Sequence, residues 1–183
     1  MSLRDFAITV ATILKAKNID VILTGGAVVS IYSEGKYVSK DVDFLSVTDH
    51  QTIKQTLHSA GFSNTGKDFY HQDTQFTVEF PGTDLVIGDE PMKAEGEIKE
   101  GQFVLKLLSP TQCVMDRLAA FYHWKDRQSL EQAVMVAEVH PIKLESGQKK
   151  KEWPTVIMFL LISYVMQRKN RIAQYEKNKI LPR

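Results

Sequence analysis

Near the N-terminus, apolar residues recur at helical spacing. Leu3, Phe6, Ala7, Val10, Ile13 and Leu14 fall on one face, and Ser2 stands where a helix takes its capping hydroxyl. The period then changes. Residues 19–24 include Val21, Ile22 and Leu23 in a short β-branched run, which predicts a buried strand ending at Gly25-Gly26. Residues 27–32 predict a short helix that stops near Glu34-Gly35, and across residues 41–45 polar and apolar side chains alternate with strand period. Thr48 and Gln51 have the form of a capping box for a helix that buries Ile53, Leu57 and Ala60 and ends at Gly61.

Residues 69–71, 75–80 and 102–108 read as strands, with Pro81-Gly82 as a turn between two of them. Strands in succession without intervening helices favour antiparallel pairing. Ser109-Pro110 is a helix start, with Val114, Leu118 and Phe121 on the apolar face. A second helix is expected from about Asp126, burying Leu130, Ala133, Val134 and Ala137, so the two form a hairpin behind the sheet. Residues 141–152, with Ser146-Gly147 and Lys149-Lys150-Lys151, read as a linker to a final helix. The expected class is α/β (α+β): a mixed, largely antiparallel sheet flanked by helices, with a C-terminal helical part. The boundary is drawn at residue 108, giving an α/β core over 1–108 and, over 109–183, a helical hairpin and basic helix packed on it.

Charge separates the tail from the body. Residues 141–183 carry ten Lys or Arg against three Asp or Glu, a surplus of +7 that leaves −6 for residues 1–140 within the total of +1. Such a tail suits nucleic acid, an acidic partner or phosphate, or is a solvated lysine-rich helix surface. The apolar run 153–166 falls short of the roughly 20 residues of a membrane span, so it reads as a buried or partner-facing helix through which a homodimer or partner protein could assemble. Cys113 is the single cysteine, which excludes an intramolecular disulfide, and the five histidines show no zinc-ligand spacing. No secretory pattern opens the chain, so a cytoplasmic, non-membrane protein is expected.

The chemistry-bearing residues lie early. Asp41 and Asp43 are two apart on a predicted strand, so their carboxylates share a face. Like charges side by side raise the pKa of one unless a cation compensates, and oxygen ligands suit Mg²⁺ or Mn²⁺. Alone, the pair is also what an exposed strand edge carries. Gly25-Gly26, between a buried strand and a helix, lets backbone approach a ligand and points N–H groups at an anion, or simply makes a tight turn. Together they describe one site: an anion cradle, a short helix, then a metal-binding strand.

At these residues the chain resembles the nucleotidyltransferase superfamily whose palm is shared with DNA polymerase β, in its small prokaryotic form. The resemblance is carried by Thr24-Gly25-Gly26 and Ser39-Lys40-Asp41-Val42-Asp43-Phe44. It is supported by Leu108-Ser109-Pro110 leading into Asp116-Arg117-Leu118-Ala119-Ala120, and by Trp124-Lys125-Asp126-Arg127. It covers about residues 19–140 and is nearest to uncharacterised members related to toxin–antitoxin and abortive-infection nucleotidyltransferases. It implies transfer of a nucleoside monophosphate from an NTP to a hydroxyl on protein, RNA or a small molecule, with two metals about 3.5–4 Å apart at the α-phosphate. Asp41 and Asp43 would hold the metals. The third carboxylate that the family places on a neighbouring strand would be Glu79, with Asp84 as runner-up. Gly26 stands where many relatives have a phosphate-binding serine, so that contact falls to backbone N–H groups or to Ser30. The third acid is a glutamate instead of an aspartate.

Lys40 and Lys36 are candidates for phosphate charge or are solvated. Lys125 and Arg117 lie where relatives bring a basic residue to the triphosphate, or pair with Asp126 and Asp116 at the helix surface. Trp124, Tyr122 and Phe121 read as core, with base stacking as the alternative. Besides the enzyme, two other readings are kept: a catalytically weak nucleotide- or partner-binding regulatory module of toxin–antitoxin type, and an interaction protein with incidental acids.

Overall fold

The computed structural model describes residues 1–143 and, beyond them, Leu161 and Val165. Helix α1 (Leu3–Lys15) begins as expected, with the Ser2 hydroxyl accepting from Asp5 N at 3.1 Å, and it buries Phe6, Ala7, Val10 and Leu14. Strand β1 (Ile22–Thr24) is shorter than expected and passes directly into α2 (Gly25–Tyr32), so both glycines belong to the first helical turn. Strand β2 (Asp41–Leu45) keeps the alternation read from its sequence: Val42 and Phe44 are fully buried, while Asp41 is exposed and Asp43 half-buried. Helix α3 (His50–Ser59) buries Ile53 and Leu57, but its cap is Asp49, whose carboxylate accepts from Thr52 N at 2.9 Å. A carboxylate is the stronger acceptor for first-turn N–H groups, which displaces the expected Thr48–Gln51 box.

The next segment is richer in strands than the sequence suggested. It runs through β3 (Ser63–Thr65), β4 (Asp68–Tyr70), β5 (Thr77–Gly82), a small β6 (Val86–Ile87) and β7 (Glu90–Pro91) pair, then β8 (Gly96–Glu100) and β9 (Phe103–Leu107). Pro81-Gly82 is no turn. Both residues lie in β5, where the register with β2 shifts between Asp43 and Leu45 and only β2 lies alongside, since β4 ends opposite Val78. Proline is tolerated in a strand at such an unpaired margin, because no ladder bond needs its missing N–H.

The main sheet has the order β3-β4-β5-β2-β1-β9-β8. β1–β9 and β2–β5 are parallel, and the other neighbouring pairs antiparallel, which gives the mixed, largely antiparallel sheet expected. Leu23, Val42, Phe44, Phe69, Val78, Leu105 and Leu107 form its buried layer, and each large side chain so removed from water stabilises the fold by about 1.5–3 kcal/mol. Phe44, Phe69 and Phe80 stack in this layer, with ring centroids 5.9–6.1 Å apart for the pairs that share Phe80.

Helices α4 (Pro110–Trp124) and α5 (Arg127–Val139) form the expected hairpin and pack against α2. Ser109 caps α4 in a reciprocal box with Gln112, and Asp126 caps α5 through Gln128 N at 3.0 Å. Lys125 makes the turn in left-handed conformation, φ 56°. Gln112 is buried, accepts from Glu95 N and Ser109 N and donates to Lys93 O at 2.7 Å, which ties the loop between β7 and β8 to the start of α4. On α5 the buried positions are Ser129, Gln132, Ala133, Val136 and Ala137, with Leu130 and Val134 at the margin. The aromatics at the end of α4 are not core. Trp124 is 81% and Tyr122 41% exposed, because the helix outruns the sheet there. Of the linker and basic tail only residues 141–143 are described, and of the apolar run 153–166 only Leu161 and Val165, which are helical and buried with the core. Among the described residues no helix is long and apolar enough to cross a membrane.

Candidate metal and nucleotide site

Strand register assembles the site. Thr24 on β1 faces Asp43 on β2, and Asp43 faces Glu79 on β5, so a hydroxyl and two carboxylates stand in one row across three adjacent strands. Asp41, one pleat along, faces Thr77, whose hydroxyl donates to Asp41 Oδ1 at 2.6 Å. The two acids therefore lie on the same side of the sheet, as their spacing required.

Gly25 brings the start of α2 onto this row. Its φ is +65°, and a Cβ placed there would lie 2.1 Å from Asp43 Oδ2. Both the backbone conformation and the space demand glycine. Thr24, at the N-cap, makes no side-chain cap; its hydroxyl donates instead to Asp43 O at 3.3 Å. The first-turn N–H groups of α2, with the positive end of the helix dipole, are thus left beside the Asp43 carboxylate without a capping side chain. Gly26 is needed for a different neighbour: a Cβ there would come within 3.0 Å of Ser39 Oγ and 3.3 Å of the Tyr37 ring.

The electrostatics are strained toward negative charge. Burial pushes the Asp43 carboxyl up to about 6, and the charges of Glu79 and Asp41 add to the rise, while Arg117 and Lys67 partly oppose it. Two cations flank the row. Arg117 on α4 bonds the Asp116 carboxylate through Nε at 3.0 Å, with both side chains under a quarter exposed. Burial works against its charge, yet Asp116 foremost, with Asp43 a lesser contributor, holds the guanidinium pKa above its usual range. Lys67, in the β3–β4 turn, places Nζ 2.6 Å from Glu79 Oε2. Next to it, Asp68 Oδ1 is buried with no hydrogen-bond partner among protein groups.

A cleft of about 260 Å³ opens over Asp43, lined by Thr24, Gly25, Asp84, Asp116 and Arg117 among others. Asp84, the runner-up acid, is thus on the cleft wall, exposed and accepting from Thr83 Oγ1 at 2.8 Å, whereas Glu79 is the acid in register with Asp43. The remaining candidates are dispersed. Ser30 Oγ accepts from Ser39 N at 2.7 Å and ties down the loop before β2, outside the cleft lining. Lys40 is exposed, Lys36 pairs with Glu138 at 3.2 Å, and Lys125 lies over the Tyr122 ring, 5.3 Å from its centroid. None of these lysines lines the cleft, and the basic residue that α4 brings there is Arg117.

The donors on the row are all oxygen, which suits Mg²⁺ or Mn²⁺. Among the described residues, no group of three or more His, Cys, Asp or Glu is gathered closely enough to hold a metal by itself. Asp41 Oδ1 is engaged by Thr77 and Glu79 Oε2 by Lys67, so Asp43 is the acid whose charge is least compensated. That set fits a cation bound through one or two carboxylates and completed by phosphate oxygens, the usual arrangement for Mg²⁺.

This sheet, its helical hairpin and an acidic second strand beside a glycine-led helix make a nucleotidyltransferase-like fold. A solved structure of similar shape is that of an antigenic nucleotidyltransferase-like protein from Paracoccidioides brasiliensis, with TM-score 0.62 over 94% of this chain and 91% of that one. The two are 15% identical, so the likeness defines the fold and not the chemistry. By sequence, the chain matches no protein-family model and no curated protein.

Proposed function

We propose that this protein is a metal-dependent nucleotidyltransferase that moves a nucleoside monophosphate from an NTP to a hydroxyl acceptor. The observation that carries the reading is the seat of the Asp43 carboxylate against Gly25, at the uncapped start of α2 and in register with Glu79. That is where a phosphate chain and divalent cations need to meet.

In this reading Asp43 and Asp41 hold Mg²⁺ or Mn²⁺, and the backbone N–H groups of Gly25 and Gly26 orient the polyphosphate. When bound, the cations would neutralise charge on the attacked phosphorus and the departing pyrophosphate. Glu79 is the base candidate for the acceptor hydroxyl, and Arg117, fixed by Asp116, adds positive potential on the α4 side of the cleft. The cleft is smaller than the roughly 300–1,000 Å³ that encloses a whole small ligand, so it takes the phosphates and leaves the base toward the α4–α5 hairpin.

The test is incubation with labelled NTP and Mg²⁺ or Mn²⁺. Asp43→Ala should remove at least about 10²–10³ of any transfer, the scale of losing a group that acts on the transition state. Transfer that survives in this variant would refute the assignment. One observation favours the second reading, a nucleotide- or partner-binding regulatory module of toxin–antitoxin type: the ammonium already seated on Glu79. It would show as metal-dependent nucleotide binding without transfer.

A further inference from the structure

The two ion pairs that flank Asp43 differ in kind. Arg117–Asp116 is fixed between helices, with side chains 19% and 23% exposed. Lys67–Glu79 is lopsided: the glutamate is 18% exposed, but the lysine is 77% exposed and stands on the two-residue turn Gly66-Lys67, with Gly66 at φ +59°. The β3–β4 hairpin that carries it forms the edge of the sheet. A hydrated ammonium on a flexible stem is held only weakly and can leave without disturbing packing. Continuing the β4–β5 register sets Asp68 against Glu79, so the ammonium also feels the Asp68 charge. With its buried Oδ1 unpartnered, Asp68 gives the departing ammonium a second carboxylate at the next residue, the start of β4.

We propose that Lys67 is a resident counter-ion that keeps Glu79 out of cation coordination, so that this carboxylate becomes available only when the β3–β4 turn releases its ammonium. This rests on the nucleotidyltransferase reading and adds a regulatory residue to it. Lys67 sets how readily the third acid joins the site; it is a positioning residue and touches no substrate.

The experiment is a Mn²⁺ titration of the full chain at pH 8 without nucleotide, with free Mn²⁺ followed by electron paramagnetic resonance. Lys67→Met, with Lys67→Gln as a second variant, should bind Mn²⁺ about fivefold tighter or more than the unaltered protein. Lys99→Met, at the far edge of the sheet, removes the same net charge and should change nothing. In a Glu79→Gln background the Lys67→Met gain should vanish, since there is no carboxylate to liberate. Unchanged or weaker binding in both Lys67 variants, or an equal gain without Glu79, overturns the proposal. If binding depends on Asp43 but ignores Lys67, only this inference fails. If no variant binds Mn²⁺, it falls together with the reading on which it rests.

Discussion

Asp43→Asn should stabilise the metal-free protein at neutral pH while removing the group on which the proposed chemistry depends. Asp43 is half-buried, and burial together with the charges of Glu79 and Asp41 raises its pKa from 3.8 to about 6. A raised folded-state pKa means that the folded chain holds this proton more tightly than the unfolded chain. Its contribution to stability is complete below about pH 3.8, declines as pH rises toward about 6, and above that leaves the full cost of a charged Asp43. Two pK units correspond to about 3 kcal/mol. Because the side chain is partly solvated, screening reduces this to about 1–2 kcal/mol. Asparagine keeps the shape, drops the charge and adds a donor toward the neighbouring carboxylates. For a chain of this size that gain is worth about 2–8 °C in Tm.

The assay is thermal unfolding of both proteins in EDTA from pH 4 to pH 8. Asp49 and Asp126, whose pKa values are lowered by hydrogen bonds from Thr52 and Ser129, give up those caps in both proteins only as pH falls below about 3.8, under the assayed range. The informative quantity is the difference between the two curves. It should be near zero at pH 4, open in favour of the asparagine variant between about pH 4 and 6, and stay constant above that. Mn²⁺ should then raise the Tm of the unaltered protein alone, by ligand linkage. A variant that is less stable at pH 7.5, or equally favoured at pH 4, would refute the reasoning.

Gly25→Ala should destabilise by about 2–4 kcal/mol in urea unfolding, from a left-handed alanine and a Cβ driven into Asp43. Gly66→Ala, also at positive φ but with open space at Cβ, should lose only about 1 kcal/mol. Arg117→Met should lower stability by about 1–3 kcal/mol because Asp116 is left partly buried without its partner, and Arg117→Lys should not restore it, since a single ammonium cannot reproduce the guanidinium fork. Lys125→Ala, exposed at a helix end, should change stability by under about 1 kcal/mol and leave metal-dependent nucleotide binding unaltered, as measured by calorimetry.

Much of the site was legible because strand period and glycine chemistry are local properties. Asp41 and Asp43 declare their shared face by spacing alone, and Gly25 sits where only glycine fits. The hairpin was legible for the same reason, through Ser109, Pro110 and Asp126. What escaped depended on pairing partners distant in sequence. Strands β3 and β8 are mostly polar, with no alternating stripe to betray them, so the β3–β4 hairpin was not visible and the Lys67 turn had no evident reason to stand over Glu79. Pro81-Gly82 carries turn chemistry yet continues a strand, because β5 has lost β4 there and keeps only β2 as a neighbour. Arg117 and Lys125 looked alike as basic residues of one hairpin. Helical phase separates them: Arg117 is three residues beyond buried Val114 and beside buried Leu118, whereas Lys125 is the exposed left-handed residue after the last turn.

The charges around the cleft also constrain the order of events. Asp43, Asp84 and Asp116 line it, with Asp41 and Glu79 on the strands beside it, and among the described residues the nearby cations Lys67 and Arg117 are engaged, by Glu79 and by Asp116. A naked triphosphate would meet net repulsion there, and the partial charge of one helix start, about half an elementary unit, cannot offset several carboxylates. On the proposed function, polyphosphate would therefore enter with its cations or after them. The same crowding that makes Asp43 reluctant to ionise makes the site receptive to a divalent ion, because each bound cation relieves the repulsion that raised the pKa. On that reading Gly25 would fix how closely cation and phosphate couple: by giving the Asp43 carboxylate the space of a side chain, it sets the proposed metal-binding oxygen beside the N–H groups at the start of α2.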